Sequence, residues 1–80
     1  MRIKQLIVER FLMLCEEAGI KLNELATRSG VTPSTVYSML EPSREDIYIT
    51  TIKKLCDGLD ISIAEFFDTK EFRELEQEIE

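Results

Sequence analysis

Between residues 32 and 38 the chain concentrates small hydroxyl side chains, Thr32, Ser34, Thr35 and Ser38, around Pro33 and Tyr37. Such groups suit non-covalent recognition. Each hydroxyl donates to or accepts from a polar edge, and a proline ring or tyrosine edge packs against a methyl group. Thr32, Thr50 and Thr51 stand where helices are expected to begin, and hydroxyls beside unbonded backbone N–H groups hold phosphate oxygens well. Catalysis has no comparable residues. The chain has no histidine, no glycine-rich phosphate loop and no metal-ligand spacing. The carboxylate pairs Glu16-Glu17 and Glu45-Asp46 lie in solvated polar stretches, and a chain this small encloses little pocket. The expectation is a binding protein, not an enzyme, with no cofactor, no metal and no small-molecule ligand.

The elements that must position those hydroxyls are written in the preceding residues. Leu25 falls one turn into a helix over about Leu22 to Ser29, and Ala26 beside it is small enough to admit a second helix closely. Gly30 supplies the positive-φ residue that ends this helix, and Val31 plugs the turn. Thr32 reads as an N-cap with Pro33 at the first helical position, where its missing N–H costs nothing. Val36 and Met39 give the second helix, about Pro33 to Leu40, its inward stripe. Pro33, Ser34, Tyr37 and Ser38 then face out, with Thr35 at the margin. Two helices crossing at about 90–120° through a short glycine turn form a helix-turn-helix, the arrangement that seats its second helix in a DNA major groove.

The remaining chain supplies a scaffold. A first helix is expected from Arg2 to Ala18, with Ile3, Leu6, Ile7, Phe11, Leu14 and Ala18 on one stripe, widened by Val8, Leu12 and Cys15. Residues 41–46 form a polar connector in which Pro42 stops the preceding helix. A fourth helix, from Ile49 or Thr50 to Leu59, buries Ile52, Leu55, Cys56 and Leu59. Ser62 and Glu65 form a capping box opening a short fifth helix with Ile63, Phe66 and Phe67. Thr69 starts a final helix carrying Phe72, Leu75 and Ile79. Cys15 and Cys56 read as buried reduced thiols.

Charge distribution qualifies the recognition surface. Ten basic and sixteen acidic residues give a net charge of −6, the wrong sign for a generic nucleic-acid binder. From Glu65 onward seven acids meet two bases, so most of the excess lies away from the helix-turn-helix. Weak non-specific binding and reliance on placed contacts follow. No run of about 18 apolar residues spans a membrane. The Arg2 to Cys15 segment is interrupted by Glu9 and Arg10 and lacks a signal cleavage site, so a soluble cytoplasmic protein is expected.

Leu25-Ala26, Gly30-Val31-Thr32, the run from Pro33 to Val36, Thr51 to Leu55 and Leu59 to Phe67 together resemble the Cro/cI phage-repressor type of bacterial regulator, the XRE family. The resemblance covers about Arg2 to Phe67. It implies an all-α, compact, five-helix lambda-repressor-like DNA-binding bundle, here with an additional C-terminal helix, and a dimer on a two-fold operator. Residues 1–68 would form the DNA-binding domain and 69–80 an acidic helix able to dimerise. By position, base reading falls on Pro33, Ser34, Thr35, Tyr37 and Ser38. Phosphate binding falls on Arg28, Thr32, Arg44, Tyr48, Thr50, Thr51 and Lys53. Leu25, Ala26, Gly30, Val31, Val36 and Met39 form the structural core of the motif.

Three positions depart from the family pattern. Lys21 and Leu22 stand where relatives cap the second helix and open it with a glutamine. Cys15 and Leu40 stand where relatives often bury an arginine against a glutamate, an exchange the fold should survive. Phe72, Leu75 and Ile79 either fold back on the first helix or, with Phe66 and Phe67, form a two-fold dimer patch; the dimer is the expectation. The function expected is a sequence-specific double-stranded DNA-binding regulator, a repressor. The alternative is a protein-interaction module on the same scaffold, antitoxin-like, with weak or no DNA binding.

Overall fold

The computed structural model describes residues 2–79; residues 1 and 80, the outer ends of the two expected segments, lie outside the described residues. Its helices are α1 (Ile3–Ala18), α2 (Leu22–Ser29), α3 (Pro33–Met39), α4 (Ile49–Gly58), α5 (Ile63–Phe67) and α6 (Lys70–Arg73). No strand occurs among the described residues. The molecule is all-α, five helices with one more at the C-terminal end, as the sequence implied.

Three of these helices end in the same way. Gly19 after α1 and Gly30 after α2 take φ of 69° and 72°, and Asp60 after α4 takes φ of 58°. In each case the next residue donates back five positions: Ile20 to the Cys15 carbonyl, Val31 to Ala26 and Ile61 to Cys56, at 3.0 to 3.1 Å. The preceding N–H bonds to Glu16, Thr27 and Asp57 respectively. These paired bonds satisfy carbonyls that a helix end leaves orphaned. The branched residue that follows each left-handed position, Ile20, Val31 or Ile61, packs on the core. Asp60 does this work without glycine's freedom. Asp60→Gly is therefore expected to stabilise the fold by about 0.5 kcal/mol, read from urea melts with Asp60→Asn as the charge control. An unchanged or lower midpoint would mean the aspartate is not strained there.

The core collects Ile7, Phe11 and Cys15 of α1 with Leu25, Ala26, Val36, Met39, Ile52, Leu55, Cys56 and Phe66. The buried apolar residues of α1 thus form a single i, i+4, i+8 line, narrower than the expected stripe. Ile3 and Leu12 remain more than 40% exposed, and Ala18 is exposed too. In a bundle this small, partners cover α1 on one side only. Burial raises both thiols, that of Cys56 to about 11, so neither forms a nucleophilic thiolate near neutral pH.

Where relatives bury an arginine of the first helix, Cys15 lies in the core, while Leu40 lines a groove beside Lys4, Gln5 and Val8. Two other cations tie α1 down. Lys4 is buried, with its ammonium 2.9 Å from the Glu41 carbonyl. Arg10 donates from Nε to the Phe66 carbonyl at 3.0 Å and from Nη2 to that of Glu65 at 3.4 Å. It thereby caps the negative end of α5.

At Gly58, α4 passes close against α2. A Cβ there would stand 2.0 Å from Ser29 Oγ and 3.2 Å from both Ser29 Cβ and Leu25 Cδ1. Ser29 Oγ is buried and has no hydrogen-bond partner, a sign that close helix contact outweighs one hydroxyl.

The C-terminal segment departs from expectation. Thr69 does cap a helix, accepting from the Phe72 N–H at 3.3 Å. But α6 stops at Arg73, and residues 75–79 are irregular, so Phe72, Leu75 and Ile79 share no helical stripe. Continuing the helix would gather Glu74, Glu76 and Glu78 at its negative end, which is unfavourable. The chain instead folds back. All four phenylalanines join one cluster: Phe11 and Phe66 ring centres lie 4.3 Å apart, Phe66 and Phe67 4.9 Å, and Phe67 and Phe72 4.9 Å. Phe66 is fully buried, so it belongs to the interior and not to the expected dimer patch. Ile79 stays 86% exposed. Beyond the cluster, Glu78 Oε2 accepts the Ile3 N–H at 2.8 Å while Oε1 lies 3.1 Å from Arg2 Nη1. The Ile3 amide and then Arg2 hold this carboxyl below the usual range.

Candidate nucleic-acid interface

α3 begins as a cap of hydroxyls. Thr32 Oγ1 accepts the Thr35 N–H at 3.3 Å and lies 3.1 Å from Ser34 Oγ and 2.9 Å from Thr35 Oγ1. Pro33 occupies the first helical position. Val36 and Met39 are buried, which fixes the helix's roll and leaves Pro33, Ser34, Thr35 and Tyr37 exposed, with Ser38 half-buried. Tyr37 is 52% exposed. The motif core falls as expected: Leu25, Ala26 and Val36 are fully buried, and Gly30 and Val31 make the turn.

Two grooves flank α3. One, of about 240 Å³, brings Thr35, Ser38, Arg44, Tyr48 and Thr51 together with Met39, Asp46 and Ile47. Five residues expected to meet DNA, drawn from α3, the connector and α4, thus share a wall. α4 starts here with Tyr48 as an N-cap that makes no side-chain bond, so its positive end is uncapped and suited to a phosphate oxygen. Thr50 is exposed in that first turn. Tyr48 and Ile49 are 81% and 61% exposed. Asp46 sets a negative charge against the same wall.

The other groove lies at the opposite end of α3, lined by Pro33 with Gly19, Lys21, Asn23, Glu24 and Thr27. Lys21, Asn23 and Thr27 are exposed and belong to the surface that flanks Pro33, although the sequence reading placed no DNA contact on them. The signal was a polar run around an uncapped helix start, Lys21 making no side-chain cap.

Not every expected cation joins the grooves. Arg28 pairs with Glu24 at 2.8 Å, and Lys53 pairs with Asp57, each one turn along its own helix and exposed. Such pairs exchange readily and hold an arginine or lysine only weakly. No ion pair involves Arg44 among the described residues, and it lines three adjacent grooves. Of the three expected cations, Arg44 is the one that lines the groove with Thr35 and Ser38. No cluster of three potential metal ligands, and no helix long and apolar enough to cross a membrane, occurs among the described residues.

Hydroxyls, an arginine and a helix N-terminus converge here, groups suited to binding an anion or a polar edge. Residues 10–71 match the family model of the Cro/C1-type HTH DNA-binding domain, which is not an enzyme family. The fold is similar to the crystal structure of the prophage Lp1 protein 11, with a TM-score of 0.83 and 33% sequence identity over 94% of this chain and 100% of that one. No curated protein matches. With a helix-turn-helix core buried as the motif requires and the family model covering most of its length, the chain belongs to the Cro/C1-type helix-turn-helix DNA-binding family.

Proposed function

We propose that this protein is a transcriptional repressor that docks α3 in the major groove of an operator as a two-fold dimer. The observation that carries the reading is the shared wall of Thr35, Ser38, Arg44, Tyr48 and Thr51 beside the uncapped start of α4. It joins base-reading hydroxyls to phosphate ligands on one side of the molecule. Ser34, Ser38 and Thr35 read base edges; Pro33 and Tyr37 pack on thymine methyls. Arg44, Thr32, Tyr48, Thr50 and Thr51 hold the backbone, joined by Arg28 and Lys53 once their helix partners release them. Likeness to a prophage protein supports a role in a phage or mobile element, in the bacterial cytoplasm. Self-association would use what Phe67, Phe72, Leu75 and Ile79 leave accessible.

The test is selection from a random duplex pool at about 50 mM and about 200 mM salt, with sequencing of the retained DNA. An enriched palindrome with half-site centres about 10 bp apart, and affinity falling steeply with salt, is expected. A folded protein that retains nothing at low salt would point to the protein-interaction reading, which the net charge of −6 favours.

A further inference from the structure

We propose that the start of α1 is a phosphate contact for DNA that Glu78 occupies in the free protein, so that the acidic C-terminal tail competes with nucleic acid for its own domain. The inference rests on the DNA-binding reading above.

The seat is already formed. One Glu78 oxygen lies 3.1 Å from Arg2 Nη1 and the other accepts the Ile3 N–H at 2.8 Å. A guanidinium and the first amide of a sixteen-residue helix would hold two phosphate oxygens in the same manner. The carboxylate therefore shows what chemistry this point accepts. It also adjoins the interface. A groove of about 510 Å³ is lined by Arg2, Lys4, Arg44 and Glu78 among others, and Arg44 also lines the wall of Thr35 and Ser38. Glu45 and Asp46 line this groove too, which leaves the α1 end as its place for an anion.

The tail is held so that it can leave. Arg2 and Glu78 side chains are 56% and 37% exposed, and exposed ion pairs contribute little. Of residues 74–79 only Leu75 is half-buried, the rest exposed. The same stretch carries Glu74, Glu76 and Glu78 with no base, so it remains near Arg2 as a competing polyanion. A duplex brings a denser line of phosphates and displaces it.

The chain carrying Glu78→Gln should bind duplex DNA more tightly at about 50 mM salt, by up to about five-fold, the most an exposed pair is worth. The gain should shrink at about 200 mM salt. Glu76→Gln removes the same charge from the same tail but no bond to α1, and should gain clearly less. Arg2→Gln should bind more weakly and cancel the effect of Glu78→Gln in the double variant. The Ile3 amide resonance should shift when DNA is added to the wild type. If wild type, Glu78→Gln and Glu76→Gln bind alike, the competition is absent while the DNA reading stands. If both glutamine variants gain equally, or the Ile3 amide ignores DNA, the effect is general charge and the seat is wrong. If no folded variant binds at low salt, the DNA reading itself falls, and this inference with it.

Discussion

Ser34→Glu is expected to weaken operator binding about 100-fold or more while leaving the fold as stable as before, or slightly more so. Ser34 is the second residue of α3, exposed and beside the Thr32 cap. A carboxylate in the first turn of a helix complements its dipole, worth about 0.3–1 kcal/mol in favour of the folded state. In the major groove the same charge faces base edges and flanking phosphates, and like charges brought together cost several kcal/mol. The two effects have opposite signs, so lost binding cannot be laid to unfolding. Ser38→Glu should act in the same direction, less cleanly, because Ser38 is half-buried and shares its wall with Asp46. Affinity for the selected duplex and a thermal melt of each variant make the comparison. Unchanged affinity in Ser34→Glu would mean that α3 does not read DNA.

Gly58→Leu is expected to destabilise the domain by about 3 kcal/mol, a large share of what a chain of this size has. Helix propensity alone predicts the reverse: removing glycine from a helix gains up to about 1 kcal/mol. Packing decides the sign, since even a Cβ would meet Ser29 Oγ at 2.0 Å, with Leu25 Cδ1 and Ser29 Cβ both at 3.2 Å. Gly58→Ala gives the milder form, a loss of about 1 kcal/mol. Ser29→Ala should relieve it by removing the nearest atom, and by itself should cost nothing, because the lost hydroxyl is buried without a partner. Urea midpoints for the two singles and the double variant yield the coupling. A stabilised Gly58→Ala would show that α2 and α4 stand farther apart than described.

Local chemistry settled much of this protein in the sequence. Gly30-Val31 and Thr32-Pro33 specify a turn and a helix start through φ preference and capping. Ser62 and Glu65 form their capping box as written, the Glu65 N–H donating to Ser62 Oγ at 3.0 Å and the Ser62 N–H to Glu65 Oε1 at 3.2 Å. Val36 and Met39 fixed which face of α3 turns outward, so the candidate base-reading residues were legible before any fold. All of these depend on neighbours within one or two turns, where residue type and spacing carry the energetics.

Other features were decided only by tertiary packing. Asp60 takes a left-handed conformation with nothing local to announce it, because Ile61 must reach the core. Gly58 matters for a helix some thirty residues away in sequence. Phe66 enters the interior because Phe11 and Arg10 receive it, and the chain after α6 returns to the start of α1. The meeting of Arg44 with Thr35, Tyr48 and Thr51 likewise joins three segments that no periodicity relates. Periodicity states which face of a helix is apolar; it does not state which partner arrives there. That choice depends on loop closure and on the competition of all apolar faces for one small core, which are properties of the folded chain.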